Sequence, residues 1–90
     1  MDMLQRARLF ESALNECDRL LLKFPGRQSL LSIRQQLEYL LALAQGGQDH
    51  SRLKEIIIGS LTAREIEPLS ADAAEVFYKV STEVRLMQSE

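Results

Sequence analysis

One cysteine, one histidine and two prolines leave this 90-residue chain few of the groups on which small enzymes and metal proteins depend. A lone cysteine excludes an intrachain disulfide and any multi-cysteine metal site. A lone histidine excludes a His pair for zinc and a second imidazole for a proton relay. No basic excess is present either: 11 basic residues face 13 acidic ones, for a net charge of −2. Long-range attraction to nucleic acid or to anionic lipid needs such an excess, so neither is an expected partner. The longest aliphatic run, Leu40 to Ala44, is far too short to span a bilayer. Met1 to Phe10 interleaves charged with apolar residues and forms no apolar signal core, so a cytoplasmic protein is expected. No Gly-rich phosphate loop, HExxH, CxxC or EF-hand pattern occurs. No cofactor, metal or small-molecule substrate is expected, and no catalytic residue.

What the chain does have is apolar content, 46%, arranged with a helical period. Ninety residues suffice for one core, and residues 1–90 are read as a single domain. Met3, Ala7, Phe10, Leu14, Cys17, Leu21 and Phe24 recur at alternating spacings of four and three, predicting a helix over about 2–24. Asp2 is a fair N-cap, and Pro25-Gly26 stops the helix. Cys17 lies within the stripe and is expected to be a small buried hydrophobe. Leu30, Ile33, Leu37, Leu40 and Ala44, with Leu31 and Leu41 widening the stripe, predict a second helix over about 28–45. Gly46-Gly47 ends it, with a glycine at or near C′.

A second face of that helix carries Ser29, Ser32, Gln36, Tyr39 and Leu43, polar but lightly charged. Such a face is either further packing surface or partner surface, since interfaces favour Tyr and disfavour Lys and Glu. The last helix is capped by Ser70, with Asp72 in its first turn and Ala73, Phe77, Val80, Val84 and Met87 on its stripe. The tail, Gln88-Ser89-Glu90, is expected to fray. No stretch alternates polar and apolar residues, so no sheet is expected.

The third helical segment is the unusual one. Leu53, Ile56, Ile57 and Leu61 share a face over 53–68, with Asp49 or Ser51 as cap and Pro68 as stop. Gly59-Ser60 sits in its middle, where a glycine costs roughly 1 kcal/mol relative to alanine. Either another helix packs closely there, or the small residues form a notch that receives another protein. Arg64, Glu65 and Glu67 follow the notch. His50 falls in the preceding connection, a poor place for a phosphorelay histidine.

Four amphipathic helices with short connections predict an all-α fold, a compact antiparallel four-helix bundle. A tandem pair of helical hairpins would give similar patterning. A small acidic helical domain without chemistry of its own is expected to be a binding protein, for instance an adaptor or chaperone that grips a peptide segment of a partner.

F-P-G-x-x-x-L-L-S (Phe24 to Ser32), Gln36-Leu37 followed by Tyr39, G-S-L-T-A-R-E-I (Gly59 to Ile66) and Phe77-Tyr78 carry a resemblance. In order and spacing the chain resembles the small immunity proteins that neutralise type VI secretion NAD(P)+ glycohydrolase toxins. The resemblance covers about residues 4–85. It implies a compact helical cytoplasmic protein, encoded beside its toxin, that binds the toxin's catalytic domain and blocks access to NAD. Cognate toxins of such proteins can be NAD glycohydrolases or ADP-ribosyltransferase-like enzymes. An acidic cluster such as Glu65, Glu67, Asp72 and Glu75 can occupy the basic field of a dinucleotide site. With Gln36, Tyr39, Gly59, Ser60, Arg64 and Tyr78, these residues form the candidate partner-binding set.

Overall fold

Asp2 begins the first helix as the spacing predicts. The computed structural model describes residues 2–90. In it the Asp2 carboxylate accepts from the Gln5 N–H at 2.8 Å and the Gln5 side chain accepts from the Asp2 N–H at 3.2 Å. Two orphan donors of the first turn are thereby satisfied reciprocally. Helix α1 then runs Met3–Lys23. At about 1.5 Å per residue its 21 residues span most of the molecule's 34 Å long dimension. Its buried line is Phe10, Ala13, Cys17 and Leu20. The expected stripe is thus turned by one residue in two places: Leu14 and Leu21 are only half-buried. Packing explains the turn, because α1 lies against both of the other long helices, α2 (Gln28–Ala44) and α4 (Ala71–Gln88), and its buried line points between them.

Helix α2, Gln28–Ala44, buries Leu30, Ile33, Leu37, Leu40 and Ala44 as expected, and Leu43 from the second face as well. Leu31, expected to widen the stripe, stays 37% exposed. Gly46 ends the helix at φ 106°, a left-handed conformation that a side chain would strain. Its N–H and that of Gly47 close on the carbonyls of Leu43 and Ala42.

The third expected helix is not one helix. Residues Leu53–Glu55 form a 3-10 turn, α3 is only Ile58–Leu61, and Thr62–Ile66 is a π-helical turn closed by the Glu67 N–H on the Thr62 carbonyl at 3.0 Å. A continuous helix would bond the Ile57 N–H to the Leu53 carbonyl. Both groups are engaged elsewhere: Gln36 of α2 accepts from Ile57 N–H at 2.8 Å, and Gln88 donates to the Leu53 carbonyl at 3.0 Å. Three successive β-branched residues, Ile56 to Ile58, make a weak helix former and so an easy place for that exchange. The break puts Ile58 in the core and leaves Ile57, expected on the buried face, 51% exposed. Neither Asp49 nor Ser51 caps a helix here; the Asp49 carboxylate accepts from the Ser51 N–H and hydroxyl at 3.0 and 2.6 Å.

Helix α4, Ala71–Gln88, is capped by the Ser70 hydroxyl, which accepts from the Ala73 N–H at 3.1 Å. Every residue of its expected stripe is buried. From the helix end at Gln88 the exposed tail makes two contacts: Gln88 donates to the Leu53 carbonyl at 3.0 Å and Glu90 pairs with Arg6 at 2.6 Å. Phe10 and Phe77 are the largest fully buried side chains. The described residues are all helix, turn and connection, with no strand, and none of these helices is long and apolar enough to cross a membrane.

Candidate partner-binding surface

Gln36 and Tyr39, two of the candidate residues, are employed within the chain itself. Gln36 donates to Ser32 at 3.1 Å while holding the Ile57 N–H. The Tyr39 hydroxyl donates to the Asp49 carbonyl at 2.7 Å and accepts from the Arg52 N–H at 3.3 Å. The second face of α2 is therefore a clamp for residues 49–57, a stretch with little regular structure of its own. Those bonds fix its backbone at three points. Arg52 lies 5.4 Å over the Tyr39 ring, within cation–π reach. Between clamp and clamped segment lies a recess of about 190 Å³ lined by Gln36, Tyr39, Arg52, Glu55 and Ile57 among others.

The packing reason for Gly59 has a concrete counterpart. A Cβ built on Gly59 would stand 2.6 Å from the Ser81 hydroxyl of α4, so the glycine lets α3 approach α4. Ser60 points to solvent, and its hydroxyl donates to the Ile57 carbonyl at 3.2 Å.

The charged candidates do not gather into one bonded cluster. Arg64 and Glu65 are exposed on the π-helical turn and form no ion pair among the described residues. Glu67 accepts from the Tyr78 hydroxyl at 2.7 Å, and this bond raises the phenol's pKa. Glu75 pairs loosely with Lys79 at 3.7 Å, one turn along α4. Asp72 lines a different cleft, of about 500 Å³, shared with Leu22, Lys23 and Phe24 at the end of α1. The structure thus joins Gln36 to Tyr39 through the clamped segment, and Glu67 to Tyr78, and leaves Asp72 apart.

Ile57 was missed as a candidate because the period assigned it to the core. It stands at the N-cap of α3 with no side-chain cap bond. An apolar residue at such a position costs about 1 kcal/mol relative to Ser, Asp or Asn. Glu83 was missed too: it is buried on α4 and paired with Arg6 at 2.7 Å.

Cys17 and His50 are not brought together. The Cys17 thiol donates to the Leu30 carbonyl at 3.3 Å in the core, while the exposed His50 ring sits 3.0 Å from the Gln48 carbonyl. Among the described residues no group of three or more His, Cys, Asp or Glu side chains is placed to hold a metal ion. Burial pushes the Cys17 thiol up to about 12. Because the unfolded thiol ionises near 9 and the folded one does not, its contribution is intact below pH 9 and is lost as pH rises toward 12. Denaturant titrations from pH 8 to 11 should therefore show wild type losing stability more steeply than Cys17→Ala. Equal slopes would show that the thiol is solvated.

Residues 5–85 match the family model described as Tsi6. No curated protein and no solved structure gives a match. The matched span runs from the first turn of α1 into the last turns of α4 and includes every candidate residue named above. The chain belongs to the Tsi6 family, a family of type VI secretion immunity proteins.

Proposed function

We propose that this chain binds the catalytic domain of a cognate type VI toxin in the cytoplasm and closes that domain's access to NAD. The family match over residues 5–85 carries this reading. Such a protein acts by surface complementarity, and its own side chains need do no chemistry. Short connections joining long helices favour an antiparallel bundle, a fold of local contacts that forms quickly. Rapid folding suits a protein that must meet a toxin as the toxin appears.

The candidate set divides into two parts within this reading. Arg64 and Glu65, with the Glu67–Tyr78 pair beside them, supply charge at the π-helical turn. The 49–57 segment, held by Gln36 and Tyr39, supplies shape. In a toxin cleft built for a dinucleotide phosphate, Glu65 and Glu67 stand in for the ligand's negative charge.

Co-production with the toxin encoded by the neighbouring gene is the direct test. The chain should restore growth and keep cellular NAD(P)+ from falling; a toxin that kills without touching NAD(P)+ would remove the substrate assignment. Reversing Glu65 and Glu67 to Lys should weaken toxin binding at least roughly tenfold, about 1.4 kcal/mol. The same variant should melt within a few degrees of wild type, because both carboxylates are exposed. Unchanged affinity would make them ordinary solvated acids.

A further inference from the structure

We propose that Ile57 is the apolar anchor by which this chain docks on its toxin, with Arg52 as the polar contact beside it; this rests on the immunity reading above. Several large apolar residues are exposed, among them Leu4, Leu22, Leu86 and Ile57. The first three lie on regular helices, where the buried stripe obliges other positions to face solvent. Single exposed apolar residues of that kind need no explanation.

Ile57 is different in three ways. It occupies a helix N-cap, where a polar residue would satisfy a free N–H and Ile satisfies none. Its backbone is nonetheless held, by the bond from its N–H to Gln36. Its neighbours Ile56 and Ile58 turn inward, so one residue of an Ile-Ile-Ile run is presented alone. A residue that works against local stability while its surroundings are fixed is the pattern expected where function sets the choice.

The surroundings say what covers it. Tyr39 and Arg52 flank the recess beside Ile57, and Tyr and Arg are the residue types enriched at the energetic centres of interfaces. The Arg52 guanidinium rests on the Tyr39 ring; among the described residues neither it nor the exposed Lys54 forms an ion pair, although, after the hydrogen bonds from Ser51, the Arg52 charge helps to lower the pKa of the Asp49 carboxylate. The fitting occupant is a folded toxin surface with an apolar hollow for Ile57 and a carboxylate at its rim for Arg52. Because the clamp holds the 49–57 backbone before binding, little ordering entropy remains to oppose association.

Ile57→Asp tests this in the full chain, against the toxin domain from the neighbouring gene carrying an inactivating substitution. Asp is a preferred N-cap, so the variant should melt at the wild-type temperature or up to roughly 5 °C above it. Toxin binding by titration calorimetry should fall at least about thirtyfold. Leu86→Asp, a change at similar exposure, should bind within about threefold of wild type. Arg52→Ala should lose affinity by roughly fivefold and reduce the salt dependence of the on-rate. If Ile57→Asp unfolds, Ile57→Ser carries the same expectation. Wild-type binding that persists in both Ile57 variants overturns the anchor and leaves the immunity reading standing. Failure of the wild-type chain to bind that toxin overturns both.

Discussion

Replacing Arg6 with Met should destabilise the fold by about 2–3 kcal/mol, between the range for an exposed ion pair and that for a fully buried one, because the Arg6–Glu83 pair is part-buried. Arg6 reaches two carboxylates, Glu83 at 2.7 Å and Glu90 at 2.6 Å. The Glu90 bond is the larger influence raising the Arg6 pKa, and it holds the Glu90 carboxylate below its usual range. Burial ranks the two the other way for stability. The Glu90 side chain is 59% exposed and exchanges its partner for water at little cost, whereas that of Glu83 is 5% exposed. Without Arg6, Glu83 is an uncompensated charge between α1 and α4. For a domain whose whole stability is of order 5–15 kcal/mol, that loss is a substantial share.

Urea titration of four proteins isolates the effect: wild type, Arg6→Met, Glu83→Leu and the double variant. The double variant should recover most of the loss, since an apolar pair at such a site is often as stable as the ion pair it replaces. Glu90→Ala should shift the midpoint little. An Arg6→Met protein within about 1 kcal/mol of wild type, the limit for an exposed pair, would mean that Glu83 is solvated.

The Arg6–Glu83 pair joins residues 77 apart, and nothing in the local pattern announces it. The helices themselves were legible where their periodicity is strong. Phe10, Leu37, Phe77 and Val80 lie in the core, and Asp2 and Ser70 cap as capping chemistry requires. Register within α1 was legible only to one residue, because Ala13 and Leu20 are apolar too, and tertiary packing buried them in preference to Leu14 and Leu21. Over 53–66 the pattern misled. Its apolar spacing fits a helix, but the two ends of the missing backbone bond are taken by Gln36, 21 residues before Ile57, and by Gln88, 35 residues after Leu53. Side-chain competition of that range has no sequence signature. For the same reason Gln36 and Tyr39 could be selected as an unusual face but not assigned as a clamp. The Gly59 anomaly was visible at once, and only the structure supplies the residue opposite it.

That opposing residue allows the two readings of Gly59 to be separated by a substitution series. A Cβ at position 59 would lie 2.6 Å from the Ser81 hydroxyl and 3.4 Å from its Cβ. Gly59→Ala should be nearly neutral. The hydroxyl can rotate away, and the helix propensity gained over glycine, up to roughly 1 kcal/mol, offsets the crowding. Gly59→Val places further carbons against the Ser81 Cβ, which cannot rotate away, and forces α3 from α4. Overpacking of that kind costs about 1–3 kcal/mol, and the β-branched side chain favours the upper end. Adding Ser81→Gly to Gly59→Val should restore part of the loss, because it empties the space the valine needs. Thermal melts of the four proteins measure this, and toxin affinity on the same samples measures the alternative. Were Gly59 a notch kept open for the toxin, Gly59→Val would melt like wild type and lose only binding. A fall in melting temperature relieved by Ser81→Gly shows instead that the glycine serves the contact between α3 and α4, on which the position of Ile57 depends.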